Sequence, residues 1–134
     1  MSKFLKGICV LLILVCIPFP VQGAEVRFKP VELKDLGEFK VTAYCSCEKC
    51  CGKYASNRPN GKVIGACGQE LIPHYSIAVD PKVIPYGTEV IINGQIYKAM
   101  DCGGSIKNKR IDVYFSDHNE ALKFGVQTAD IFIK

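Results

Sequence analysis

Two histidines in 134 residues leave little room for a Ser-His-Asp relay, and no phosphate-cradling loop is visible. Neither sign of charge is in large excess: 17 Lys and Arg against 13 Asp and Glu give +4 at pH 7. That is too mild to argue for a nucleic-acid partner. No apolar run is long enough to span a bilayer comfortably. Internal repeats and low-complexity tracts are also absent.

The N-terminus carries a different kind of signal. Lys3 and Lys6 precede an almost wholly aliphatic stretch from Val10 to Ile17, then Pro18 and Pro20 break any helix. Val21-Gln22-Gly23 reads as a small-residue cleavage site, so residues 1–23 are expected to be a secretory signal peptide and the mature chain to start at Ala24. A retained N-terminal anchor is the alternative. Lipidation fits less well, because Cys9 and Cys16 follow Ile8 and Val15 rather than small residues. Losing the two leader lysines leaves a net charge of +2. The expected product is a secreted or wall-located monomer, without stable membrane insertion after cleavage. Its roughly 110 residues suffice for one domain with a modest core.

Residues 24–36 mix charge, Pro30 and isolated apolar positions, and read as a linker or N-terminal arm. From Gly37 onward, residues 37–134 read as one domain. Phe39-Lys40-Val41-Thr42-Ala43-Tyr44 alternates and is rich in β-formers. Ser76-Ile77-Ala78-Val79 is a second strand. Glu89–Ile92 and Ile96–Met100 flank Asn93-Gly94, a type I′ hairpin signal. Ile111–Phe115 and Thr128–Ile133 are further strands. Asp117–Phe124 is the one convincing helix, with Asp117 and Glu120 in capping-box spacing and Gly125 suited to follow its end. Many short strands with one short helix predict an all-β chain closed as a small barrel.

Three aspartates stand where strands begin or end. Asp80 follows Ile77-Ala78-Val79, Asp101 follows Ala99-Met100, and Asp112 opens Val113-Tyr114-Phe115. A carboxyl set among apolar residues is pushed up in pKa, and a second carboxylate nearby pushes it further. A general acid near neutral pH needs that shift. Gly103-Gly104, beside Asp101, allows close approach of backbone to a ligand. The competing reading is that Asp80 and Asp101 only cap turns.

Six cysteines follow the leader: Cys45, Cys47, Cys50, Cys51, Cys67 and Cys102. An even count in a small exported domain favours disulfides. The run Cys45-x-Cys47-x-x-Cys50-Cys51 also suits zinc. Against zinc, no second Cys-x-x-Cys pair exists, His74 and His118 lack ligand spacing, and adjacent cysteines rarely share a metal. The expectation is therefore disulfides with no metal and no cofactor. Four clustered cysteines allow three pairings, and the spacing does not choose among them.

Taken in order, these blocks resemble the 3D domain, named for three aspartates, of bacterial lytic transglycosylases and stationary-phase survival proteins. The residues carrying the resemblance begin with Phe39–Cys45 and Cys50-Cys51-Gly52-Lys53. Ile77–Pro81 and Ile84-Pro85-Tyr86-Gly87-Thr88 follow, then Asp101–Lys107, Arg110–Phe115, Glu120-Ala121-Leu122 and Phe124-Gly125. The resemblance implies a six-stranded double-psi β-barrel that acts on the glycan strands of peptidoglycan. The implied reaction is non-hydrolytic cleavage between MurNAc and GlcNAc, leaving a 1,6-anhydro-MurNAc end. A glycan-binding module of the same fold, without catalysis, is the alternative. By position Asp112 matches the family's acid/base, with Asp101 and Asp80 as companions. Thr42 and Tyr44 match groove-lining positions, and Gly103, Gly104 and Lys107 are expected to contact substrate, with Arg110 a further candidate for its carboxylates.

The chain departs from that pattern in three places. Cys102 stands where the family usually has threonine, Cys67 stands for serine in Gly65-Ala66-Cys67-Gly68, and Asn108 replaces a common glycine. Asn tolerates the left-handed backbone that glycine favours. The paired appearance of Cys67 and Cys102 suggests a disulfide between two turns that border the same groove in the family's barrel. It would close about 35 residues and contribute roughly 3–4 kcal/mol.

Overall fold

The computed structural model describes residues 29–56 and 58–134. The expected signal peptide lies outside them. Six strands form the architecture: β1 (Lys34–Cys45), β2 (Ser76–Ala78), β3 (Glu89–Ile92), β4 (Gln95–Asp101), β5 (Arg110–Phe115) and β6 (Gln127–Ile133). A one-turn helix α1 (Glu48–Cys51) follows β1 and runs into 3-10 turns at Gly52–Ser56 and Pro59–Gly61. Helix α2 (His118–Phe124) lies between β5 and β6. The strands close in the order β1-β5-β2-β4-β3-β6. This is the six-stranded barrel with one short helix, α2, that the sequence predicts, together with the single turn α1, which it does not.

The pairing contains a hidden symmetry. β1 runs parallel to β5 and β2 parallel to β4, while every other neighbour is antiparallel. Exchanging β1 with β4, β2 with β5 and β3 with β6 maps the strand order and all its directions onto themselves. That pseudo-twofold relation is the double-psi topology.

Local chemistry explains most of the elements. Asn93 and Gly94 both have positive φ, 51° and 79°, as a type I′ turn requires. The Asp117 carboxylate accepts from the Asn119 and Glu120 amides at 2.9 and 3.0 Å, capping α2. Gly125 (φ 68°) ends that helix. β1 begins at Lys34, inside the stretch expected to be a linker. Its register slips between Asp35 and Gly37, a bulge with Gly37 at φ 77°, and this break hides the first residues of the strand from the alternation.

Two-residue periodicity then divides the side chains into two layers. Phe39, Val41, Ile77, Ala99, Ile111, Val113 and Ile131 point into the barrel and are almost wholly buried. A second cluster of Tyr44, Leu71, Ala78, Met100, Ile106 and Tyr114 lies apart from that core. It is contributed by β1, β5, β2 and β4 together with the loops on either side, through Leu71 and Ile106. The candidate site rests on this second layer.

Candidate active-site groove

Strand register brings two of the three aspartates to one face. Thr42 of β1 pairs with Asp112 of β5, Asp112 pairs with Ala78 of β2, and Ala78 pairs with Asp101 of β4. The four positions form a row across four neighbouring strands. Asp112 and Asp101 are therefore two strand spacings apart, about 9–10 Å between backbones. Ala78, the small residue between them, lies at the floor of a groove of about 680 Å³ that Asp101, Asp112 and Tyr44 also line.

Each carboxylate of the pair has named partners. Asp112 Oδ1 accepts from the Thr42 hydroxyl at 2.9 Å. Asp101 Oδ2 accepts from the Tyr44 hydroxyl at 2.6 Å, and its Oδ1 from the Ala66 amide at 3.0 Å. That amide depends on Gly65, where a Cβ would collide with the Met100 carbonyl oxygen and come within 2.6 Å of Leu71 Cδ2. The turn can sit against the end of β4 only because position 65 has no side chain.

The electrostatics separate the groups. Burial raises the Asp112 carboxyl above the ordinary carboxylate range; the Thr42 hydrogen bond and Arg110 oppose the rise, and Asp101 adds to it. Burial, then the charge of Asp101, pushes the Tyr44 hydroxyl far up, so it stays protonated and donates. The Cys51 thiol, which lines the same groove, is pushed up to about 11 chiefly by burial.

Asp80 is placed differently. It is buried and does not line the groove. Its Oδ1 accepts from the Lys82 amide at 3.1 Å and its Oδ2 from the Asn108 amide at 2.9 Å. Asn108 holds φ 54°, the left-handed conformation expected of it. Asp80 thus ties the loop carrying Gly103, Gly104 and Lys107, all three of which line the groove. The amide of Asn108, then that of Lys82, lowers its pKa. A depressed folded pKa contributes stability above the unfolded carboxylate value of about 3.9, and this is lost as pH falls through the folded value. Asp80→Asn is therefore expected to lower the melting temperature at pH 7, with the gap to the parent closing in acid. Melting curves from pH 7 to pH 3 test this, and a gap independent of pH would contradict it.

Other expected site residues are distributed unevenly. Thr42 does not line the groove but supports Asp112 from the neighbouring strand. Arg110 does not line it either; its Nη1 donates to the Ser105 carbonyl at 3.5 Å, and its buried Nε has no partner. The sequence reading missed Ala78, the Ala66 amide, and the Tyr54 and Arg58 wall contributed by the loop after α1. A small residue between Ile77 and Val79 was the only visible hint of the first.

The expected disulfides are not formed. Cys45, Cys47, Cys50, Cys51, Cys67 and Cys102 are all free thiols in this structure. Cys51 turns its thiol to the Cys45 carbonyl at 3.2 Å. The neighbouring Cys102 thiol, ahead of burial, pushes the Tyr86 hydroxyl up to about 12. Cys45, Cys47 and Cys50 converge on Nδ1 of His118, a residue whose position in the sequence gave no sign of it.

YabE of Bacillus subtilis (strain 168), named for cell wall shaping, is 39% identical over 99 residues, covering 69% of this chain and 21% of YabE. The cell wall-binding protein YocH of the same organism is 43% identical over 56 residues, covering 41% of this chain and 20% of YocH. The chain thus spans about a fifth of the length of these two relatives. Among solved structures, Escherichia coli MltA with bound chitohexaose is 27% identical with a TM-score of 0.46, over 55% of this chain and 28% of MltA. Residues 75–133, which contain Asp80, Asp101 and Asp112, match the family model of the 3D domain, so this part of the chain is a 3D domain.

Proposed function

We propose that this protein is an exported peptidoglycan lytic transglycosylase and that Asp112 is its acid/base. The observation that carries the reading is a partly buried carboxyl with a raised pKa, oriented by Thr42 and facing a groove that also holds Asp101. A protonated Asp112 donates its proton to the glycosidic oxygen as the bond to C1 of MurNAc breaks. The positive charge that develops at C1 and the ring oxygen is stabilised by Asp101. The C6 hydroxyl of the same sugar then attacks C1 and returns its proton to Asp112. No water is consumed, and one carboxyl serves both steps. Asp101 is the electrostatic partner, Tyr44 and the Ala66 amide hold it, and Asp80 is a positioning residue acting through the 102–109 loop. Gly103, Gly104 and Lys107 form one bank of the groove, where Lys107 can meet a lactyl or peptide carboxylate.

A second reading, a glycan-binding module without catalysis, is favoured by the likeness to a relative named for cell wall binding. Incubating purified sacculi with the protein and analysing soluble fragments by mass spectrometry separates the two. Release of 1,6-anhydro-muropeptides is expected. Reducing-end products alone would indicate a hydrolase, and intact sacculi that retain the protein would indicate the binding module.

A further inference from the structure

The geometry points to a second site, beside the groove and separate from the carboxylates: a tetrahedral zinc centre formed by Cys45, Cys47, Cys50 and His118. Among the described residues these four ligand atoms all lie within 4.8 Å of one another. His118 Nδ1 is 3.4 Å from Cys47 Sγ, 3.5 Å from Cys45 Sγ and 3.6 Å from Cys50 Sγ. Cys45 and Cys50 Sγ are 3.7 Å apart. Zinc bonded to sulfur at about 2.3 Å and to nitrogen at about 2.05 Å, at tetrahedral angles, gives edges of about 3.6 Å from sulfur to nitrogen and about 3.8 Å between sulfurs. The three sulfur–nitrogen distances and the one sulfur–sulfur distance match those edges. They do not match a disulfide, whose sulfurs are about 2.05 Å apart.

Hydrogen bonding does not account for the cluster. One imidazole nitrogen has either one proton or one lone pair, yet three thiols approach the same atom. A cation at the centre satisfies all four groups at once. Three sulfurs and one imidazole in a tetrahedral set select zinc over the oxygen-seeking cations. The run of four cysteines supplies three ligands rather than four, because Cys51 turns its thiol to the Cys45 carbonyl. The fourth ligand comes from the first turn of α2, 73 residues beyond Cys45.

This placement gives the metal a structural task. It would fasten the end of β1, the turn α1 and the start of α2 to one another. The segment that leaves the centre continues through Cys51, Tyr54 and Ala55, which form one wall of the groove. A zinc ion here would fix that wall. The inference rests on the cysteine and histidine geometry alone and stands whether the groove cuts glycan or only binds it.

The test is metal analysis of the whole purified protein, reduced, loaded with zinc and desalted. One zinc per chain is expected by mass spectrometry of the metal. Cys47→Ser and His118→Ala should each lose it, while Cys51→Ser should keep it. Replacement by cobalt(II) should give the visible absorption of a tetrahedral ion together with a thiolate-to-cobalt charge-transfer band, and both should vanish in Cys47→Ser. Because a ligand variant could misfold, the parent protein supplies an independent check. Chelation should lower its melting temperature, and stoichiometric zinc should restore it. A parent chain that binds no zinc with its thiols reduced would overturn the proposal. So would protein exported by its own host with Cys45, Cys47 or Cys50 joined in disulfides, or zinc that remains stoichiometric in both ligand variants.

Discussion

Asp112→Asn should reduce release of anhydro-muropeptides by about 10²–10⁴-fold, the usual loss when a positioned acid/base is removed. Asn keeps the size of the side chain and can accept from the Thr42 hydroxyl, but it cannot exchange a proton at working pH. The same substitution should leave the protein as stable as the parent at pH 7, or more so. Burial raises the Asp112 pKa, so the folded state binds this proton more tightly than the unfolded chain. Folding therefore loses stability as pH rises from the unfolded carboxylate value through the folded one. An amide has no charge to desolvate and escapes that penalty. Fragment release and denaturant titration on the same preparation check both halves. Near-normal turnover would transfer the acid/base role away from Asp112, and loss of stability at neutral pH would contradict the assigned burial cost.

Asp101→Asn should also be severe, about 10²–10³-fold, comparable to loss of one oriented group that stabilises transition-state charge. Its signature should differ. Asp101 raises the Asp112 pKa, so neutralising it should lower that pKa. Activity requires protonated Asp112 and therefore falls as pH rises through its pKa. In Asp101→Asn that alkaline limb should move to lower pH, whereas in Asp112→Asn it should disappear. An unshifted limb in Asp101→Asn would mean that the two carboxyls do not sense each other. The amide also fits its partners poorly, since it cannot accept from both Tyr44 and the Ala66 amide in the way the carboxylate does.

How much of this was legible in the sequence depends on the range over which each feature is encoded. The hairpin at Asn93-Gly94, the Asp117 cap and the Gly125 stop are written in two to four adjacent residues, and all are present. Strands with clean alternation were visible for the same reason. The turns from Glu48 to Gly61 were not, because a segment rich in Cys, Gly and Pro has no apolar period to read. Asp80 looked equivalent to the other aspartates, since nothing nearby announces that the Asn108 amide will bond it. His118 is the clearest case. It reaches Cys45 because β1 and β5 run parallel with Cys45 opposite Phe115, and α2 starts three residues further on. That register is a property of the closed barrel, so spacing along the chain could not reveal the contact.

Barrel closure also bears on how the chain reaches its fold. The first strand pairs only with the fifth and the sixth: Lys40 meets Arg110 and Thr128, and Lys34 meets Ile133. Until the last strand is available, β1 and β3 each lack a neighbour, and no smaller closed unit can form from the strands already made. Loop-closure entropy must be lost over nearly the whole barrel before these long-range pairings repay it, which places the fold among slow, high-contact-order topologies that form in about milliseconds to seconds. A nascent chain stopped short of Gln127 would carry two open sheet edges. The barrel is therefore committed late, and all at once, by its sixth strand.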